Sequence, residues 1–309
     1  MPEEEKGPED SEFVRINKNQ LSWIGTCLAI ALVSVLYRAL IMLDDLPVAM
    51  MFIGIPLVLA IALVFTPRPK SATGVIMKGI TLALLLSGIL LIEGFVCILM
   101  ASPLFYLIGG IVGRVEDRRR KNDDSHRMNC VIYGVLALMS FEGVVVALTF
   151  PREDTVIVSE NLSIPISEAR TLMEEGPVFD NSKLAPFLKL GFPKPVKIQG
   201  EGSEIGDQWK ISFAIGKKPP GDLVLEVVAS TENSVTYQCI DDGSHLSNWL
   251  NWKTITWSLE EASTSDCTIS IELNYDRLLD PAWYFKPIER YGVSKAGEFL
   301  ISQTFSKNE

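Results

Sequence analysis

Four apolar stretches between Leu21 and Phe150 constrain this chain more than anything else in it, because runs of that length with at most one or two charges cannot serve as the surface of a water-soluble fold. Leu21 to Leu43 and Leu46 to Phe65 are each long enough to cross a bilayer core of ~30 Å as a helix. Trp23 and Tyr37 sit near the ends of the first run, where aromatic rings favour the interface, and Arg38 is placed to snorkel towards it. Asp44-Asp-Leu-Pro47 reads as a tight acidic turn and Thr66-Pro-Arg-Pro-Lys70 as a basic loop. Asn129 to Phe150 is a last span, ending at Pro151. Residues 1–20 are polar and acidic and read as a tail, with no cleavable signal pattern behind them.

The run from Ile76 to Gly113 carries only Lys78 and Glu93 as charges. It is too long for one ordinary span and short for two. Ala101-Ser-Pro103 is the natural break, giving either a span at 76–100 with a short or re-entrant piece at 103–113, or a hairpin of two short helices. Arg114, Arg118, Arg119, Arg120, Lys121 and Arg127 form the strongest basic cluster, and such clusters stay cytoplasmic. That cluster and the loop at Arg68 and Lys70 lie on the same side only if the run crosses twice. The last span then delivers residues 151–309 to the outer, extracytoplasmic side; a single crossing leaves them cytoplasmic. The charge asymmetry favours the two-crossing arrangement.

Glu93 and Glu142 lie inside apolar runs, in Leu-Ile-Glu-Gly-Phe and Ser-Phe-Glu-Gly-Val. An intramembrane Glu costs ~2.5 kcal/mol or more, which makes it a candidate functional group. The sharper reading is a proton- or ion-handling pair, or a contact to a lipid headgroup. The plainer one is a protonated, hydrogen-bonded structural carboxyl.

Past Phe150 the composition changes. Residues 151–309 hold 15 Lys/Arg against 24 Asp/Glu, so nearly all of the net charge of −10 resides there. An acidic domain is not a nucleic-acid partner, since phosphate neutralisation needs a basic face. A strand at 155–163 precedes a short helix opened by Ser167 as cap and stopped at Gly176-Pro177. A second short helix runs from Asn181 to Leu190. Strands follow at about 195–201, 206–215, 221–230, 234–241, 252–261 and 266–276, separated by turn-type clusters. Asp280-Pro281 then starts a terminal helix that Pro287 restarts and that runs to about Phe305. Ile288, Gly292, Val293, Ala296, Phe299 and Leu300 share one face of it, and Arg290, Ser294 and Glu298 the other.

Three stretches carry a family resemblance: Ile164-Pro165 before a short helix, Trp252-Lys-Thr-Ile-Thr-Trp257, and Ile269-Ser-Ile-Glu-Leu-Asn-Tyr275 leading into Leu279-Asp-Pro-Ala-Trp-Tyr-Phe285. With the element order, they resemble the START-like or helix-grip superfamily of polyketide cyclase/dehydrase and lipid-transport proteins, over residues 155–305. The expected fold is an α-helical transmembrane region followed by an α+β helix-grip domain: a curved antiparallel sheet, two short helices and a long C-terminal helix. The resemblance implies a deep apolar cavity between sheet and helix that takes a lipid or another hydrophobic small molecule. It defines no catalytic motif, so no catalytic residue is carried over.

Candidate cavity residues are Trp209, Phe213, Trp252, Trp257, Tyr275, Ile288, Gly292, Ala296 and Phe299, of which strand alternation lets only some face inward. Trp283, Tyr284 and Phe285 lie at a proline-flanked connection, as a cavity mouth, a membrane contact or a plug under the helix. His126 and His245 sit in Asp-rich polar loops, where a solvated turn is the plainer reading than a metal ligand or general base. Phosphate-binding, dinucleotide-binding and zinc-protease patterns are absent from the sequence. No cofactor or metal is expected. Cys239 and Cys267 fall on strands that a meander keeps apart, and Asn161-Leu-Ser163 matches a glycosylation sequon within a strand. The expected partners are the bilayer and a hydrophobic ligand. One alternative is an interaction module with a collapsed cavity that recognises a membrane protein; another is an enzyme of the cyclase or hydrolase kind, with His245 or Tyr275 as its polar group.

Overall fold

The computed structural model describes residues 46–67, 69–90, 95–120, 149–200, 202–215 and 219–305, with Gly25, Ala29 and Glu142 singly. Glu93, His126, the span at 21–43 and most of the span at 129–150 lie outside the described residues. The chain divides into two compact units, Met1–Cys130 and Val131–Glu309.

The first unit holds helices α1 (Leu46–Phe65), α2 (Ala72–Leu90) and α3 (Phe95–Arg119). The run at 76–113 therefore belongs to two helices, one described to Leu90 and the other from Phe95, and Ala101-Ser-Pro103 lies inside the second and is not a break. Helix α3 passes through Pro103 because Ser102 Oγ donates to the Leu99 carbonyl (3.0 Å), the acceptor that a proline four residues on leaves without its usual donor. α2 and α3 pack antiparallel. At Gly113 an added Cβ would meet Thr73 Cα at 2.5 Å, and at Gly109 it would meet Ile80 Cδ1 at 2.2 Å. Small residues four apart let the two backbones approach. Asp117 closes the pair from the end of α3: its carboxylate accepts the Ala72 and Thr73 amides (2.5 and 3.1 Å) and the Thr73 hydroxyl (2.6 Å), satisfying the first turn of α2. Among the described residues one helical segment, Ile98–Arg119, is long and apolar enough to cross a membrane by length and composition.

The second unit is a seven-stranded antiparallel sheet in the order β1-β7-β6-β5-β4-β3-β2. The strands are β1 (Glu153–Leu162), β2 (Lys194–Gln199), β3 (Gln208–Ala214), β4 (Gly221–Thr231), β5 (Ser234–Asp242), β6 (Leu250–Glu261) and β7 (Cys267–Arg277). β2 to β7 form a meander, and β1 pairs with β7 along its whole length. In β7 every second residue from Cys267 to Arg277 is buried, the alternation of a strand with one face on the core. Cys239 and Cys267 are free, with β6 lying between their strands.

The first short helix, α4, spans Ile166–Glu175, and its cap is Pro165, whose carbonyl accepts Glu168 and Ala169 amides (3.0 and 3.1 Å); Ser167 lies inside the helix and is not the cap. The expected helix at 181–190 is two pieces: a 3-10 turn at Asn181–Lys183 and a single turn, α5 (Pro186–Lys189). Pro186 forces Ala185 into an extended conformation, which divides them. The terminal helix α6 (Ala282–Phe305) is continuous through Pro287 rather than restarted by it.

α6 lies on β1 and β7. An added Cβ at Gly297 would meet Val158 Cγ2 at 3.0 Å and Leu273 Cδ1 at 3.2 Å, so this glycine sets how closely and in what rotation the helix seats. The buried stripe is Phe285, Glu289, Val293 and Gly297, at i, i+4 spacing, continued by Phe299 and Ile301. Of the face expected from sequence, Val293 and Phe299 are buried, whereas Ile288, Gly292, Ala296 and Leu300 are half-buried at its side. A seven-stranded antiparallel sheet gripping a long C-terminal helix fits the helix-grip arrangement.

Candidate functional site

Between sheet and helix lies an apolar pocket of about 60 Å³. Its floor is the inward face of five strands: Ile198, Trp209 and Ile211, Leu225, Tyr237, and Ile255 with Trp257. Leu300 of α6 closes it from above, and Gly176-Pro177, just after α4, form the rim. Alternation puts these side chains on one face, and the pairings Trp209–Leu225 and Tyr237–Ile255 set them side by side. Trp209 anchors its indole N–H on the Gly202 carbonyl (3.0 Å), leaving the ring as wall. Gly176 has φ 74°, and an added Cβ would meet the Trp209 ring at 2.5 Å, so only glycine lets the chain cross that ring. Tyr237 is the one ionisable residue in the walls, and burial pushes its phenol up to about 12. At neutral pH the pocket walls carry no charge.

Of the residues marked from sequence, Trp209 and Trp257 line this pocket. Phe213 is half-buried near the end of β3, against the core. Trp252 and Tyr275 face each other across β6 and β7, with ring centroids 6.0 Å apart. Gly292 approaches the Phe187 ring, and Phe299 stacks on Phe179 (6.2 Å). Trp283, 40% exposed, Tyr284 and buried Phe285 form an edge-to-face series with centroids 5.8 and 4.9 Å apart. Sequence reasoning missed Tyr237, Leu225, Ile255 and the Gly176 rim. The period-2 partners of the two tryptophans carried that signal, but no residue type among them stands out.

A second cluster, polar and buried, lies where β7 runs into α6. Arg277, 1% exposed, donates to the Leu279 carbonyl (2.6 Å) and to Asp280 (2.7 Å). Asp280 also takes Arg152 at 2.8 Å. Glu142 lies here, its carboxylate 3.5 Å from Arg277 and accepting the Ala282 amide at 3.0 Å. This carboxylate, expected in a membrane span, is thus engaged by an arginine and a helix N-terminus within the second unit. Across the sheet, Asp154 accepts Arg290 (2.5 Å) and the Tyr275 hydroxyl (3.4 Å), with Lys286 at 3.7 Å. Burial raises the Tyr275 phenol, with the Asp154 and Glu289 charges acting in the same sense. Burial likewise pushes Glu289 up to about 7, against the weaker opposing pull of the Leu279 amide and of Arg277.

His245 begins a 3-10 turn, His245–Asn248, capped by Ser244, which accepts the Leu246 amide at 3.2 Å; the loop is organised by Asp242 and Ser244. Burial pushes the Cys239 thiol up to about 11 and raises Cys267, so neither is a thiolate at neutral pH. Asn161 accepts from the Thr268 hydroxyl at 2.8 Å. Among the described residues no three His, Cys, Asp or Glu side chains gather as a metal site.

No family model matches the sequence, and no curated protein does. Solved structures align with about half of the chain. A norcoclaurine synthase point mutant from Thalictrum flavum aligns with TM-score 0.35 and 12% identity over 52% of this chain and 99% of its own. A START superfamily protein from Mycobacterium smegmatis gives 0.36 and 9% over 50% and 95%, and an aromatase/cyclase from a Streptomyces species 0.33 and 5% over 49% and 93%. The chemistry in those names belongs to those proteins.

Proposed function

We propose that residues 151–309 form a binding module for a hydrophobic small molecule, held beside a bilayer by a multi-pass apolar region at 21–150. The observation that carries this is the uncharged pocket walled by Trp209, Tyr237 and Trp257 beneath α6. Its about 60 Å³ is well below the ~300–1,000 Å³ of sites that enclose drug-sized ligands. The pocket as it stands admits a chain end or a small ring only by widening. At its rim, past Gly176, the connector is held to α6 by Val178 N–H on the Gln303 carbonyl (3.2 Å) and by the Asp180 amide on the Gln303 side chain, so widening on that side would have to break these two bonds. The apolar runs support membrane tethering, and the basic cluster at Arg114–Lys121 supports the outer side for the module. A tether raises the local concentration of lipid-soluble ligands.

Thermal unfolding of the full chain with a panel of isoprenoids, fatty alcohols and small aromatics tests this. A ligand at a hundredfold its Kd adds ~2.7 kcal/mol of stability and raises Tm. No shift from any member would move the weight to a second reading, which the small pocket volume itself favours: a filled domain that recognises another membrane protein.

A further inference from the structure

An aromatic patch surrounds the start of α6. Trp283, Pro287 and Tyr291 follow one another at i, i+4 spacing on this helix, and all three are exposed. The neighbouring charges, Lys286 and Arg290, are turned towards Asp154 of β1. Tyr291 meets the Phe187 ring edge-on at 5.2 Å between centroids, Phe187 meets Phe192 at 5.0 Å, and Phe192 meets Trp249 at 5.1 Å. The Trp249 carbonyl accepts the Leu278 amide (3.1 Å) just before α6 begins, so the rings close a circuit around the helix start. One turn past Tyr291 the face becomes ionic: Lys295 lies over the Tyr291 ring and pairs with Glu298 at 2.6 Å. From Trp283 to Tyr291 the uncharged face is thus about 12 Å tall at ~1.5 Å per residue.

Two further observations say what covers this patch. The apolar run that ends at Phe150 joins the second unit here: Phe150 is 60% exposed, and its carbonyl accepts from Arg277 (3.4 Å), the residue before Leu278. The two ends of the sheet also differ in charge. At the end away from this junction, the connections 200–207, 231–234 and 260–267 hold seven Asp/Glu and no Lys or Arg. At the junction end, the connections 149–153, 192–194, 215–221, 242–250 and 277–282 hold five Lys/Arg against three Asp/Glu.

We propose that the aromatic patch is a bilayer-docking surface, seated in the interfacial zone of the membrane that the run 131–150 enters. This rests on the membrane-tethered reading and gives the module an orientation. Trp and Tyr rings favour that zone, where an apolar body and a polar tip are both satisfied. An apolar helix face sinks ~5–10 Å into the headgroup boundary, a depth that the face from Trp283 to Tyr291 supplies before Lys295 and Glu298 return to water. The basic junction end meets anionic headgroups, and the acidic turns point away from them. Leu300, which closes the pocket, lies about 14 Å further along α6 than Tyr291. The pocket therefore stands in the aqueous layer above the headgroups, and a ligand leaves the lipid before it enters.

The test is photo-crosslinking of the full chain in nanodiscs of phosphatidylcholine and phosphatidylglycerol. The photoreactive aromatic p-benzoylphenylalanine replaces Trp283, Tyr291, Ile205 or Leu136, one at a time, and intact mass reports any lipid adduct. Trp283 and Tyr291 are 40% and 50% exposed, so the replacement leaves the core untouched. Ile205, 72% exposed in the connection 200–207, reports the opposite end, and Leu136 reports the apolar run. Lipid adducts are expected at positions 283, 291 and 136, and none at 205. An adduct at 136 without one at 283 and 291 would overturn the docking surface and leave the tethered module standing. An adduct at 205 equal to that at 291 would overturn the orientation. Crosslinking of position 291 to a second copy of the chain instead of lipid would overturn the proposal in favour of a dimer contact. No lipid adduct at any position, 136 included, would overturn the membrane reading with it.

Discussion

Glu142 and Arg277 meet inside the second unit, one carboxylate oxygen 3.5 Å from the guanidinium and the other on the Ala282 amide at 3.0 Å. Asp280 holds the same guanidinium at 2.7 Å. A residue from the apolar run 129–150 is thereby fixed to the first turn of the helix that covers the pocket. Glu142→Ala should cost about 2–4 kcal/mol, because it leaves a buried arginine with one carboxylate and a helix start with a lost acceptor. Glu142→Met combined with Arg277→Met should cost less than the two single changes added together. Chemical unfolding of the full chain measures all of these.

Glu289 predicts a pH dependence of stability. Its folded value, about 7, stands above the ordinary 4.5, so between these the folded state binds the extra proton. Stability is therefore highest below about 4.5 as far as this group is concerned, and falls as pH rises towards and past 7, by on the order of 2–3 kcal/mol. Glu289→Gln should flatten that slope between pH 5 and 8, read from unfolding midpoints across the range.

At the pocket rim, Gly176→Ala places a side chain at φ 74° and into the Trp209 ring. A loss of about 1–3 kcal/mol is expected, with a changed near-ultraviolet signal from the displaced indole. Gly243→Ala, where the nearest atom to an added Cβ is 3.5 Å away, should leave that signal unchanged.

In the first unit, Asp117→Ala removes the acceptor for two amides and a hydroxyl at the start of α2. Capping losses of this kind cost about 1 kcal/mol. Hydrogen exchange should speed up at Ala72 and Thr73 and remain slow at mid-helix positions such as Leu84.

The element order of the second unit was legible because hydrophobic alternation and turn clusters are local signals. All seven strands lie within a few residues of where the sequence put them. What escaped depends on partners distant in sequence. Pro186 reads as part of a short helix until its effect on Ala185 is considered. The rotation of α6 is fixed by Gly297 fitting against Val158 and Leu273, residues 139 and 24 positions away, and that rotation buries Glu289 in place of Ile288 or Gly292. Pro103 looks like a break because the rescuing bond is a hydroxyl one residue earlier. Of the candidate pocket, the two tryptophans stood out by type, whereas Ile198, Leu225 and Ile255 differ in nothing from other core positions.

The most direct measurement is native mass spectrometry of the full chain released from detergent after exposure to a lipid extract, for wild type and Leu300→Trp, which fills the pocket from the helix side. The account predicts a stoichiometric apolar adduct on the wild type and its loss in the variant, with the melting temperature kept. A wild-type protein that stays bare, or an adduct of equal occupancy on Leu300→Trp, would contradict it.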